Sequence, residues 1–373
     1  MPANESGQHI TVDARMAGSS GIGTYIQELV PRVVDALPGV RFTLLGDLDV
    51  LPSVVGQSAR VRHAAFDAPI YSIREQLAFR NVIPRDASLF WAPHYNVPLA
   101  LRCPLAVTVH DLNHLTVERS LAKRAYARRM FKRVQRRASV VFCDSTHTAQ
   151  DFTARVGVPR QLVVCLLGVS SPWTDPNDQL PAAEPYFLYV GNVKPHKNLS
   201  RLITAFSEIA GSVPHRLVIA GRTEGMRTVD SSVSSSAAAT DRVTVTGYVS
   251  PDQLVQLVRR CDALDLPSLA EGFGLPPLEA LACGRAVGVS NVASLPEVCG
   301  PVAEYFDPLD TESISAALLR LANRPLDRAE VVERRRAWAR QFDWACTARI
   351  TADGLSRALA SAPAMSRAAT TRA

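Results

Sequence analysis

The stretch SLAEGFGLPPLEALACG, residues 268–284, decides the reading of this chain. It follows a strand predicted at Ala263–Leu266, turns through Gly272 and Gly274, and enters a helix predicted over Pro277–Ala282. The glycines free the backbone to approach a ligand, and Pro276 or Pro277 suits the first helical position. A helix N-terminus of this kind offers unpaired N–H groups and partial positive charge to an anion such as a diphosphate. Glu271 precedes the turn, and Glu279 is placed in the first helical turn. Two carboxylates around an anion site make sense when each has hydroxyls to bind, as on a sugar nucleotide. Taken alone, Glu279 would equally complement the helix dipole, and Glu271 would be a solvated loop residue.

The same strand–turn–helix rhythm extends outward in both directions. In the first half, strands are predicted at His9–Asp13, Arg41–Leu45, Leu89–Ala92, Leu105–Val109 and Val140–Cys143. In the second half they fall at Tyr186–Val190, Arg216–Ala220, Val243–Thr246, Ala263–Leu266 and Ala286–Val289, with helices at Asn198–Ile209 and Pro251–Arg260. Between the halves, Leu166–Pro185 loses all periodicity and carries four prolines. The prediction is therefore α/β: two Rossmann-like parallel domains, 1–175 and 176–345, facing each other across a cleft. A C-terminal helix near 346–360 is placed as able to pack back on the first domain, Thr228–Thr240 as a mobile loop, and 361–373 as a disordered tail. In such sheets ligands sit beyond the carboxyl ends of strands, so segments just after strands are the informative ones.

Composition narrows the class. Of 373 residues, 47% are hydrophobic and 20% charged, ordinary for globular domains. No apolar run approaches the roughly 20 residues of a spanning helix, and Met1–Gly7 lacks the apolar core of a signal peptide. Seven scattered cysteines read as reduced core thiols. The expectation is a cytoplasmic protein. Lysine and arginine number 41 against 35 acids, and nine of those bases lie between Arg119 and Arg137 with no acid among them. Tyr126, Met130, Val134 and Ala138 fall on one helical face of that stretch. It reads as a membrane-surface helix at the inner face of the cytoplasmic membrane, or as a helix packed on its own domain with solvated charges.

Four further segments follow predicted strands. They are YVGNVKPHKNL (189–199), SSGIGTYIQEL (19–29), TVHD (108–111) and FWAPHYNVP (90–98). Together with 268–284 they resemble glycosyltransferase family 4, whose retaining, GT-B-fold enzymes share a Glu-x7-Glu element in an EGFGLP-type context. The run TGYV (246–249) and the segments SNVASLPEV (290–298) and DPLD (307–310) are similar to the family's C-terminal domain. The resemblance covers roughly residues 9 to 355, and bacterial mannosyl- and rhamnosyltransferases carry it most fully.

That resemblance implies roles. Lys197 would bind the donor diphosphate, while Asn192 and His196 stand where many relatives keep an arginine, so Arg222 is the substitute second cation. Glu271 would hold the transferred sugar and Glu279 the ribose. Gly21 and Gly23, Gly272, Phe273, Gly274 and Leu275 would line the donor, and Tyr248 would lie near its base. His110 would serve the reacting centre, with Lys197 and Glu271. His94, Tyr95, Asn96 and Asp111 would bind the acceptor. The implied activity moves a hexose, mannose from GDP-mannose first, onto a glycan or lipid-linked saccharide in polysaccharide or O-antigen assembly. Domain closure would exclude water from the reaction. No Asp-x-Asp pattern follows a strand suitably, so neither a divalent metal nor a cofactor is expected. Two other readings stay open: a nucleotide-sugar epimerase or hydrolase on the same fold, and a nucleic-acid-binding protein using the basic stripe. The stripe's lack of aromatics spaced for base stacking speaks against nucleic acid.

Overall fold

The computed structural model describes residues 7–19, 21–56, 58–175, 184–221, 241–324 and 328–361. Arg222, the Thr228–Thr240 loop, much of the proline-rich connection and the tail from 362 lie outside the described residues. The chain divides into two compact units, one of residues 1–166 with 344–373, the other of 167–343. The break thus falls after Leu166, earlier than the 175/176 boundary predicted from proline content. The Trp344–Ala360 helix belongs to the first unit.

The first unit holds a seven-stranded parallel sheet. Its strands are β1 His9–Asp13, β2 Arg41–Gly46, β3 Val61–Ala65, β4 Leu89–Ala92, β5 Leu105–Val109, β6 Ala138–Cys143 and β7 Leu162–Val164. They lie in the order β3-β2-β1-β4-β5-β6-β7. Every residue of β1, β4 and β5 is buried, as expected of parallel strands covered on both faces. The Gly21–Ala36 and Trp344–Ala360 helices pack together, and Thr347 donates to the carbonyl of Leu166 at 2.6 Å.

The second unit repeats the plan with six parallel strands. These are β8 Tyr186–Val190, β9 Arg216–Ala220, β10 Val243–Gly247, β11 Ala263–Leu266, β12 Ala286–Ser290 and β13 Glu304–Phe306. Their order, β10-β9-β8-β11-β12-β13, reproduces the first six positions of the other sheet. Both are therefore doubly wound sheets whose order reverses once, between β1 and β4 and between β8 and β11. All ten strands expected from sequence are present. The three added ones, β3, β7 and β13, are short sheet-edge strands with half-buried residues.

The basic stripe resolves in favour of packing. The Leu121–Arg137 helix buries Ala127, Met130, Phe131 and Val134 in the first unit's core, with Tyr126 packed against it. Ala138 is the first residue of β6. That apolar face is filled by its own domain and is not free to enter a lipid interface; the charged side, with Leu121 at the helix start, is presented outward.

Strand ends in the second unit are drawn together by backbone contacts. Gly191 N–H donates to Ala220 at 3.0 Å, and Gly221 N–H donates to Gly247 at 3.0 Å. A Cβ on Gly221 would lie 1.9 Å from the Gly191 carbonyl oxygen, which is backbone and cannot swing aside. Gly221→Ala is expected to cost about 3 kcal/mol by overpacking, read as a lowered urea midpoint; an unchanged midpoint would show that the turns are not held in this contact.

Candidate functional site

At the reversal in the second unit, the chain leaves β8 through Gly191 and reaches a short 3-10 turn at Pro195–Lys197. Asn198 follows in the left-handed region at φ 58°, a conformation asparagine tolerates because its short amide bonds locally. Here the amide donates to the carbonyls of Pro267 at 3.1 Å and Pro308 at 2.7 Å. Leu269 N–H donates to the His196 carbonyl at 2.8 Å. The turn after β8 is thus fastened to the loop after β11, and Lys197 stands between them.

The loop after β11 is held just as firmly. Buried Ser294 donates towards the Phe273 carbonyl at 2.8 Å and the Glu271 carbonyl at 3.2 Å. Gly274 caps the Leu275–Ala282 helix at φ 106°, where a Cβ would also meet Leu295 at 2.8 Å. Two details depart from expectation. The helix starts at Leu275, because the left-handed glycine sets its first turn, so Pro276 is the second residue and Glu279 lies beyond the first turn. Phe273, predicted to line the donor, is buried against Phe342 and anchors the loop instead.

These fastenings bring Lys197 and Glu271 together. The ammonium lies 2.5 Å from Glu271 Oε1, which also accepts from Ser268 at 2.7 Å. The pair remains open to solvent, with side chains 20% and 11% exposed. No side chain caps the adjoining helix. Gly272 is buried in the loop, Glu279 and Asn192 are half-buried nearby in sequence, and Tyr248 is largely exposed after β10. A cation, a carboxylate and a helix N-terminus at a topological switch point together suit an anionic ligand that carries hydroxyls.

The corresponding reversal in the first unit is filled by the protein's own charges. Asp13 ends β1, and Arg15 bridges it to Glu75, with 2.6 Å to each carboxylate. His94 lies 3.2 Å from Asp13, and Asn96 donates to Glu75 at 2.7 and 2.8 Å while accepting from Tyr126. Burial pushes the Asp13 carboxyl up, but bonds from Arg15 and His94 outweigh it and hold the group far below the usual range. The acceptor contacts expected of His94 and Asn96 need correction: both are buried and committed to this network. Tyr95 is buried too, stacked on Phe131 at 4.4 Å. Gly21 and Gly23 sit inside the first turn of the Gly21–Ala36 helix. Gly21 borders open space, whereas a Cβ on Gly23 would be 2.7 Å from the Ala17 carbonyl, so Gly23 serves close packing.

His110, just past β5, uses both ring nitrogens. Nδ1 lies 2.5 Å from Asp144 and Nε2 donates to the Pro93 carbonyl at 2.8 Å. A carbonyl and a carboxylate both accept, so the two bonds together describe an imidazolium. Burial alone would depress its pKa; the charge and hydrogen bond of Asp144 override that and raise it. Asp111 beside it accepts from Asn113 N–H at 2.9 Å, opening the short Asn113–Thr116 helix. Sequence reading passed over Asp13, Arg15, Glu75, Asp144, Asn198 and Ser294. For Asp13 and Asp144 the signal was present: each stands at the carboxyl end of a strand.

With this geometry in view, the comparisons are specific. Residues 19–170 match Glycosyltransferase Family 4, and residues 173–339 match Glycosyl transferases group 1. The chain belongs to this glycosyltransferase family. It is similar to the serotype-specific mannosyltransferase WbdA of Escherichia coli, at 29% identity over 243 residues. That match takes in 60% of this chain and 29% of WbdA, so the chain spans under a third of that relative's length. Similarity to O-antigen chain mannosyltransferase B of Escherichia coli is 27% over 354 residues, covering 87% of this chain and 93% of the relative. Among solved structures, HepE of Anabaena in complex with UDP-glucose superposes with a TM-score of 0.71 at 16% identity, covering 94% of this chain and 99% of that one. That likeness shows the GT-B fold.

His110 is expected to titrate above 6.5 by NMR, and Asp144→Asn to bring it down, since burial then dominates. With the folded pKa raised, the pair's stabilisation is complete below the unfolded value and disappears as pH climbs through the folded one. An unshifted titration in Asp144→Asn would refute the imidazolium assignment.

Proposed function

We propose that this chain is a retaining glycosyltransferase that takes a hexose from a nucleotide-diphosphate sugar, mannose from GDP-mannose first among them. The acceptor is a growing glycan or lipid-linked saccharide. The observation that carries this reading is the Lys197–Glu271 pair, solvent-open at the switch point of the second sheet beside an uncapped helix N-terminus. Before donor binds, the carboxylate holds the ammonium in place. A bound diphosphate shares that ammonium, which neutralises charge as the leaving group departs. Glu271 then accepts from hydroxyls of the transferred sugar, and Glu279 from the ribose. Arg222 is the second phosphate cation of this reading. His110, doubly bonded, contributes a fixed positive charge rather than a proton acceptor. Cationic side chains take the place of a metal ion, and no cofactor takes part. The choice of mannose is supported by the names of the O-antigen mannosyltransferases above, and it is analogy.

An anionic membrane as partner is supported by the first unit's surface. No helix among the described residues is long and apolar enough to cross a membrane. Ile73, Leu77, Leu99 and Leu121 are nevertheless exposed. Leu99 adjoins the basic helix, where Arg133 donates to Pro98 and Leu99, and Gln76, from the helix that carries Ile73 and Leu77, bonds Val97 and Leu99. Apolar side chains beside a basic row suit peripheral attachment at the cytoplasmic face, near a lipid-linked acceptor.

Thermal unfolding with GDP, UDP, dTDP and ADP, each in EDTA, tests the donor. A nucleotide at a hundred times its Kd should add about 2.7 kcal/mol. GDP is expected to stabilise most, and Lys197→Ala to abolish the effect. A stronger response to another base would replace the donor, and no response to any nucleotide would overturn the transferase reading. Co-sedimentation with vesicles tests the membrane: binding is expected with anionic lipid, lost in high salt and absent with phosphatidylcholine alone. Equal binding to both vesicle types would refute charge-led attachment.

A further inference from the structure

Tyr71 occupies a conformation that its residue type avoids. Its φ is 67°, in the left-handed region, where a bulky side chain is strained against its own backbone. The surrounding structure holds it there. Its N–H donates to Glu75 Oε2 at 2.9 Å, and Glu75 is the buried carboxylate bridged by Arg15 to Asp13. The next residue, Ser72, caps the Ile73–Val82 helix by accepting from Glu75 N–H at 3.0 Å. Backbone strain fixed by a buried ionic network is found where a side chain must be presented in one place.

What is presented is an aromatic surface. Tyr71 as a residue is 42% exposed, and its ring lies 6.0 Å from Tyr95, tilted by 32°, and 6.0 Å from Tyr126, edge-on. His114 stands 6.1 Å from Tyr71 and 5.3 Å from Tyr95. From beneath, Phe131 stacks on Tyr95, and Asn96 receives the Tyr126 hydroxyl. Burial foremost pushes both the Tyr71 and Tyr95 phenols up, and Asp111 accepts from Asn113 N–H at the start of the short helix that carries His114. Tyr71, Tyr95 and His114 come from the loops after β3, β4 and β5. The cluster therefore sits at the carboxyl edge of the sheet, where α/β folds bind ligands.

We propose that this cluster is a binding platform for one pyranose ring of the acceptor, with Tyr71 as its stacking face. A pyranose has an apolar C–H face and a rim of hydroxyls. The C–H groups are positively polarised and match the negative face of a tyrosine ring, while Asp111 and His114 offer hydrogen-bonding groups for the rim. The platform rests on the glycosyltransferase reading above and deepens it: Tyr95 serves as the buried support of the exposed ring, and the acceptor meets Tyr71.

Saturation-transfer NMR with methyl α-mannoside and with mannobiose, in the absence of nucleotide, tests the platform on three proteins. Tyr71→Phe keeps the ring. Tyr71→Asn removes it and suits the left-handed backbone, so that variant should fold, as circular dichroism would verify. Ring-proton signals are expected from wild type and Tyr71→Phe, with affinity weakened about tenfold in Tyr71→Asn. Stabilisation by nucleotide should be the same in all three. Equal sugar signals from Tyr71→Asn, or none from wild type, would overturn the platform. Failure of the donor reading looks different: no nucleotide would stabilise wild type, whatever the sugars do.

Discussion

In a doubly wound parallel sheet every strand ends on the same edge, and the strand order reverses at one place only. Connections diverge there, leaving a crevice that side chains or a ligand must fill. The rest of this structure depends on that constraint, and the two units answer it differently. In the second, the crevice holds a lysine and a glutamate that remain partly exposed. In the first, Asp13, Arg15 and Glu75 are almost wholly buried and bonded to one another. One reversal is open to an anion; the other is closed by internal ions.

Closing a crevice with charges is an unusual choice energetically. Removing ions from water costs several kcal/mol each, and a well-packed apolar replacement is often as stable. The benefit is directional. Arg15 can satisfy two carboxylates only in one arrangement, with its guanidinium also 4.0 Å over the Phe66 ring. That arrangement fixes the loops after β1, β3 and β4 relative to one another. In the second unit Asn198 does comparable work without charge, joining the segments at 267 and 308 through a single amide. The open site therefore sits among loops held from outside it.

The loop after β11 is legible in the sequence because its chemistry is local. Glycine, proline and two glutamates within a few residues announce a turn and a helix start, and a short strand stands just before them. Lys197, just beyond β8, is singled out by the resemblance of its segment to the family's. The helix boundary was missed by two residues because the left-handed geometry of Gly274, rather than proline, sets it. The first unit's network could not be read so. Its members stand at 13, 15, 75, 94, 96 and 126, and only the sheet brings them together. His94 and Asn96 read as acceptor contacts by resemblance, because nothing near them in sequence supplies the partners that hold them.

The course of the chain has a consequence for synthesis. Leu167–Asp343 is inserted within the first unit, its entry and exit joined by the bond from Val169 N–H to the Phe342 carbonyl. Only afterwards does the Trp344–Ala360 helix arrive to lie on the Gly21–Ala36 helix, bringing Gly354 against Phe142 of β6 and Trp344 near Tyr25. As the polypeptide leaves the ribosome, the later-encoded unit has all its elements first. The earlier-encoded unit waits with one flank of its sheet uncovered until the final helix emerges, and its apolar surface is exposed longest to chaperones and to misassembly.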